Sequence, residues 1–249
     1  MEEMILARRR MLMNRSLAPI PASNITHYWK LNGNSLDSIS DAHGSNTNIT
    51  FTSTGALVGQ SAVFGGTPSV INFGDRNSFS FTDGINDLPF SMSIWLNFDY
   101  IPVGTDYFNP LSKQSSSTVK EYDLQFHPGE SRLWWRLSSN GSGNNLMNNR
   151  DDVGIVAGIW NNYIITYDGS KTVAGFKFFK NGVLKNNKTT SGTYVGMSNT
   201  TAPLRLGVVN ANAFNFKGKI CQFAIFNKAL SPNEVNSVYQ KGKNGQNLI

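Results

Sequence analysis

Along Phe90-Ser-Met-Ser-Ile-Trp-Leu-Asn-Phe98 the side chains alternate strictly, with Phe90, Met92, Ile94, Leu96 and Phe98 on one face and Ser91, Ser93, Trp95 and Asn97 on the other. This alternation constrains the fold more than any other feature, because a strand sends successive side chains to opposite faces whereas a helix would scatter the same set around its axis. Tyr122-Asp-Leu-Gln-Phe126 and Leu133-Trp-Trp-Arg-Leu137 repeat it on either side of Pro128-Gly129, which reads as a hairpin turn. Asp168-Gly169 joins the strand-like segments 160–167 and 176–180, and Asn181-Gly182 leads on to Val183-Leu184. Asn-Gly and Asp-Gly favour hairpins because both residues tolerate positive φ. Segments 204–209 and 220–226 supply two more strands. Beyond residue 26 only residues 231–240 read as helix, with Ser231 as N-cap, Pro232 in the first helical position and Glu234 closing a capping box. The expected class is all-β, an antiparallel two-sheet β-sandwich beginning near residue 26.

Apolar residues form 39% of the chain and charged residues only 15%, so the surface of such a sandwich must be polar but largely uncharged. With 249 residues and no evident internal division, one large domain has ample material for a core. The single cysteine, Cys221, excludes an intrachain disulfide and reads as a small buried hydrophobe. No stretch approaches the length of a membrane span, and acids precede bases around the short apolar stretch at the N-terminus, the reverse of an export signal. The expectation is a protein made in a host cytoplasm without general secretion and without a membrane partner. Residues 170–249 carry eleven bases against one acid, Glu234, within a net charge of +6. Solvated strand faces account for this asymmetry; an anionic partner is the functional alternative, and without a nucleic-acid motif no nucleic-acid partner is expected.

The N-terminus departs from the strand pattern. Met4, Ile5, Met11 and Leu12 recur about two helical turns apart around Arg8-Arg9-Arg10, and Pro19 and Pro21 follow as an extended spacer. Residues 1–23 are therefore expected to form a helical or extended docking arm with its spacer, residues 24–241 the sandwich, and residues 242–249 a C-terminal tail.

Several segments carry a family resemblance in a consistent order. His27-Tyr-Trp-Lys-Leu-Asn-Gly-Asn-Ser-Leu-Asp37 with Asp41-Ala-His-Gly44 resembles the opening of laminin-G-like, concanavalin A-type jelly rolls. Ala62-Val-Phe-Gly65, the strand from Phe90, the stretch from Gly158 to Gly169 with Lys180-Asn-Gly-Val183, and the closing segment from Phe216 to Ser231 resemble later parts of the same family. The resemblance implies a concanavalin A-like jelly roll over roughly residues 26–240. It does not imply a ligand, because such folds host lectins, adhesion modules, enzyme appendages and virion components.

Glycosidases of this broad fold need two carboxylates across the scissile bond. Glu121-Tyr-Asp123 is the nearest approach, and no second glutamate follows two or three residues later, so no catalytic residues are assigned. Three histidines, His27, His43 and His127, lack metal-ligand spacing. By the resemblance, Asp37 and Asp41 match the family's first calcium position, whereas Cys221-Gln222 stands where an acidic pair is common. No cofactor is required on this reading, and Ca²⁺ is the one candidate metal.

Alternation also sorts the hairpin's side chains. If Leu133, Trp135 and Leu137 point inward with Tyr122, Leu124 and Phe126, then Trp134, Arg136, Asp123, Gln125 and His127 share the outer face. An indole beside oriented polar groups suits a sugar ring, and Trp95 is expected to join the same surface. The functional expectation is a non-catalytic structural or adhesive component of a phage virion, present in many copies, anchored to other virion proteins through residues 1–20 and presenting a sandwich that binds glycans. A free-standing bacterial carbohydrate-binding or adhesion module is the alternative, and a glycoside hydrolase of the same fold a second one.

Overall fold

The computed structural model describes residues 18–66, 68–128, 132–139, 146–150, 154–185, 187–209 and 214–249, with the backbone alone at 146–150 and 187–191. The expected docking-arm residues Met4, Ile5, Arg8, Arg9, Arg10, Met11 and Leu12 lie outside these described residues. Sixteen strands run in chain order among them. The first eight are β1 (Ile25–Trp29), β2 (Ser45–Thr47), β3 (Ile49–Thr52), β4 (Ser61–Gly65), β5 (Val70–Gly74), β6 (Phe90–Phe98), β7 (Phe108–Gln114) and β8 (Lys120–His127). The rest are β9 (Arg132–Ser138), β10 (Leu146–Arg150), β11 (Asn161–Tyr167), β12 (Phe176–Lys180), β13 (Val183–Lys185), β14 (Asn187–Ser191), β15 (Leu204–Leu206) and β16 (Lys217–Phe226). Among the described residues one α-helix, α1 (Pro232–Lys243), follows the last strand.

The strands form two eight-stranded sheets, and their pairings are antiparallel. In the first sheet the order is β13-β12-β11-β6-β16-β4-β3, with β1 also pairing β16. The second runs β14-β10-β9-β8-β7-β15-β5-β2. Segments far apart in sequence are thus neighbours, as β16 is of β6 and β15 of β7. The chain is a concanavalin A-like jelly roll, as expected.

The alternating residues meet where their period places them. Phe90, Met92, Ile94 and Leu96 from the first sheet and Tyr122, Leu124, Phe126, Leu133, Trp135 and Leu137 from the second are fully buried in one apolar core. Local chemistry fixes the turns: Asn181 and Gly182 both adopt positive φ, 52° and 75°, which a two-residue hairpin between β12 and β13 requires. The capping box forms as read, since Glu234 N donates to Ser231 Oγ and Ser231 N donates to the Glu234 carboxylate.

A second apolar cluster lies outside the first sheet. Ile164, Phe179, Ala224 and Phe226 point away from the sandwich interior and pack with Val235 and Val238 of α1. The segment expected as a tail belongs to this layer: Leu248 is buried, its amide donates to Tyr28 Oη, and its carbonyl accepts from Lys241 Nζ. At the other terminus Ile20, inside the proline spacer, packs against the same cluster.

Candidate functional site

The β8–β9 hairpin sets the site. Its register pairs Asp123 with Arg136 and Gln125 with Trp134, so these outward side chains face one another across the ladder while Leu124 and Trp135 point into the core. Asp123 is buried, and Arg136 grips it with both Nε, at 2.8 Å, and Nη2. Asn109 on β7 donates to Asp123 Oδ2 at 3.0 Å, and Gln125 donates to Asn109 Oδ1 at 2.8 Å. Burial alone would push the Asp123 carboxyl up. The Arg136 charge and hydrogen bonds, with the Lys120 charge and the Asn109 amide, outweigh it and hold the group below its ordinary value. The result is a fixed polar network spanning the outer face of β7, β8 and β9.

Aromatic rings border this network. His127 stacks on Trp134 with ring centroids 3.9 Å apart and planes 11° from parallel. Tyr107 meets the His127 ring edge-on at 5.1 Å and Phe214 at 5.5 Å. Trp134 is half-buried, whereas Phe214 is exposed and held at a φ of +57°, a conformation costly for a bulky side chain. Beside them lies a cavity of about 320 Å³ whose lining includes Tyr107, Gln114, Lys120, Gln125, His127 and Arg136. The hairpin residues Asp123, Gln125, His127, Trp134 and Arg136 are therefore brought together as expected. Asn109, Tyr107, Gln114, Lys120 and Phe214 were not anticipated, because their place here follows from strand pairing and loop course.

Trp95 is a correction. It lies on β6, in the opposite sheet, and its indole is covered by α1: Tyr239 stacks on it at 5.8 Å, and a Cβ at Gly242 would sit 2.5 Å from its Nε1. Alternation placed Trp95 on an outer face correctly but could not tell which sheet carried it.

The proposed calcium position does not fit a cation. Asp37 is buried, with Oδ1 accepting from the amides of Tyr28 and Ile39 and Oδ2 hydrogen-bonded to His27 Nδ1 and Ser40 Oγ. Burial pushes its carboxyl up, but these hydrogen bonds prevail and bring it down to about 2. Asp41 pairs instead with Arg76 at 2.7 Å. Both oxygens of Asp37 are used by the protein and Asp41 already has its counter-charge, so the pair lacks the free oxygen ligands that Ca²⁺ needs.

The carboxylates considered for hydrolysis are also engaged. Glu121 is fully buried, 2.9 Å from Lys113 Nζ, and accepts from the Thr200 amide and hydroxyl, while Asp123 is held by Arg136.

A model of the Laminin_G_3 family, described as the concanavalin A-like lectin/glucanases superfamily, matches residues 64–236. The chain belongs to this family. No characterised protein sequence matches it significantly. Among solved structures, domain 4 of an extracellular arabinanase from Geobacillus stearothermophilus, in complex with arabinotriose, is similar with a TM-score of 0.62 and 20% identity, over 87% of this chain and 98% of that one. The receptor-binding domain of botulinum neurotoxin C/D mosaic serotype aligns with a TM-score of 0.67 and 14% identity, over 88% of this chain and 51% of that one. A botulinum neurotoxin serotype D ligand-binding domain in complex with N-acetylneuraminic acid gives 0.65 and 15%, over 87% and 50%. The family member spans about half the length of these toxin domains, and at such identities the likeness establishes the shared fold.

Proposed function

We propose that the sandwich is a non-catalytic glycan-binding module whose site is the outer face of β7, β8 and β9. One observation carries the reading: the rings of Tyr107 and His127, the latter stacked on Trp134, border a cavity that Gln125 and Arg136 of the pre-organised hydrogen-bonding network also line. Sugars are bound by this combination of apolar ring surface with fixed donors and acceptors, because each ring presents C–H faces and a rim of hydroxyls. That similar folds were solved with arabinotriose or N-acetylneuraminic acid is consistent with it. A non-catalytic role is supported by the engagement of Glu121 with Lys113 and of Asp123 with Arg136, which leaves neither carboxylate as an uncommitted acid or base. The test is calorimetric titration of the full chain with oligosaccharides selected on a glycan array. Trp134→Ala is expected to weaken binding at least ~10-fold, about 1.4 kcal/mol; absence of binding to any glycan would overturn the reading.

The wider setting we propose is a phage particle, with many copies anchored to other virion proteins through residues 1–20. The apolar–basic composition of that segment supports it, since Arg8, Arg9 and Arg10 suit an acidic surface while the flanking Met and Leu bury area. Mass spectrometry of purified particles should detect the chain, and deleting residues 1–20 should abolish its incorporation; unchanged incorporation would contradict the anchor. A free-standing bacterial carbohydrate-binding or adhesion module is the second reading, favoured by the 98% coverage of the single arabinanase domain.

A further inference from the structure

We propose that the cavity beside Trp134 selects an anionic sugar, with Lys120 donating to its carboxylate or sulfate and Gln114 accepting from a neighbouring hydroxyl. This rests on the glycan-binding reading above and names the class of glycan.

The fold treats its two buried lysines on β7 and β8 differently. Lys113, fully buried, is given four acceptors: Asp75 at 2.8 Å, Glu121 at 2.9 Å, and the carbonyls of Ala202 at 2.7 Å and Thr200 at 3.2 Å. An ammonium withdrawn from water needs such partners, because its hydration is lost. Lys120 is only 8% exposed and lines the cavity, yet among the described residues its Nζ donates no hydrogen bond and forms no ion pair. Burial accordingly pushes its pKa down, against the partial support of the Asp123 charge.

The nearest carboxylate cannot supply what Lys120 lacks. Asp123 is committed to Arg136 and to Asn109 behind the cavity lining, and the lining itself carries two cations, Lys120 and Arg136, and no carboxylate. Gln114, the cross-strand neighbour of Lys120, lines the same cavity with a buried Oε1 that has no hydrogen-bond partner. Nearby, Arg205 donates to the carbonyls of Gln114 and Val209, which adds positive potential without a counter-ion at those contacts. An unpartnered donor of full charge and an unpartnered acceptor, side by side in a cavity, describe a ligand with an anionic group next to a hydroxyl. Uronic acids, sialic acids and sulfated sugars share that chemistry.

The experiment titrates the full chain with trigalacturonate, a sulfated galactotriose and unmodified galactotriose at low and high salt. The wild type should prefer one or both charged ligands by at least ~10-fold at low salt, with the preference shrinking as salt rises; which charged ligand wins separates carboxylate from sulfate. Lys120→Gln should bring the affinity for the preferred ligand down to that of galactotriose, while Lys120→Arg retains a preference. Gln114→Glu should supply the missing anion from within and erase the preference as well, a check that does not depend on removing the lysine. Equal affinity of the wild type for all three ligands, or a preference that survives Lys120→Gln, would overturn the inference while leaving glycan binding intact. Failure of every sugar to bind would instead overturn the underlying function and the inference with it.

Discussion

The two sheets share one apolar interior but carry different chemistry on their outer faces. On the first sheet the outward residues include Ile164, Phe179, Ala224 and Phe226, and they are buried by α1 and by Leu248 of the closing segment. On the second the outward residues of β7, β8 and β9 include Asn109, Asp123, Gln125 and Arg136, which satisfy one another, and Gln125 and Arg136 line a cavity. An outward apolar row gains free energy by recruiting a helix, roughly 25 cal/mol for each Å² removed from water, whereas an outward polar row gains little from one and remains available to a ligand. Each face also holds a tryptophan, and their fates follow: Trp95 is 3% exposed beneath α1, and Trp134 is half-buried beside the cavity.

The strongest way to break this contrast is to empty the covered face. Trp95→Ala removes a large ring packed against Tyr239 and Gly242, and should cost about 4 kcal/mol in urea unfolding while leaving glycan affinity unchanged. A cost below about 1 kcal/mol would mean that α1 is not a structural cover. On the polar face, Asp123→Ala strands the Arg136 guanidinium and releases Asn109, with an expected loss of about 3 kcal/mol together with loss of glycan binding. Stability falling without any change in binding would detach the network from the site.

Acid acts on the helix-bearing sheet through Asp37, which bridges to Trp29 of β1. Burial opposes the charged form of Asp37, but its hydrogen bonds outweigh burial and bring the carboxyl from an ordinary 3.8 down to about 2. Its contribution, about 2 kcal/mol, is complete above pH ~4 and is lost as pH falls toward ~2. Asp37→Asn should therefore flatten the acid limb of a stability–pH profile; an unchanged limb would show that other carboxylates govern it.

Much of this contrast was legible in the sequence, and the parts that were not have physical causes. The period-two pattern assigned the faces of β8 and β9 correctly at Leu124, Phe126, Leu133 and Trp135, because a buried core tolerates only one register. The α1 capping box and the Asn181-Gly182 turn were equally plain, being local chemistry. Trp95 was misplaced because alternation reports inside against outside and says nothing about which sheet a strand joins. Lys120 was missed for another reason: a ladder irregularity pairs Lys113 with Tyr122 but Gln114 with Lys120, which breaks the alternation that would have grouped Lys120 with the core-facing Tyr122. Tyr107 and Phe214 sit in loops, where no periodicity exists to read.

Hydrogen–deuterium exchange of the full chain, with and without a saturating oligosaccharide chosen by the titrations, tests the division between the faces most directly. The account predicts slowed exchange in β7, β8 and β9 and in the loop bearing Tyr107, with α1 and the β11–β12 hairpin unaffected. Protection concentrated on α1 or on β11 and β12, with β8 and β9 unchanged, would contradict it.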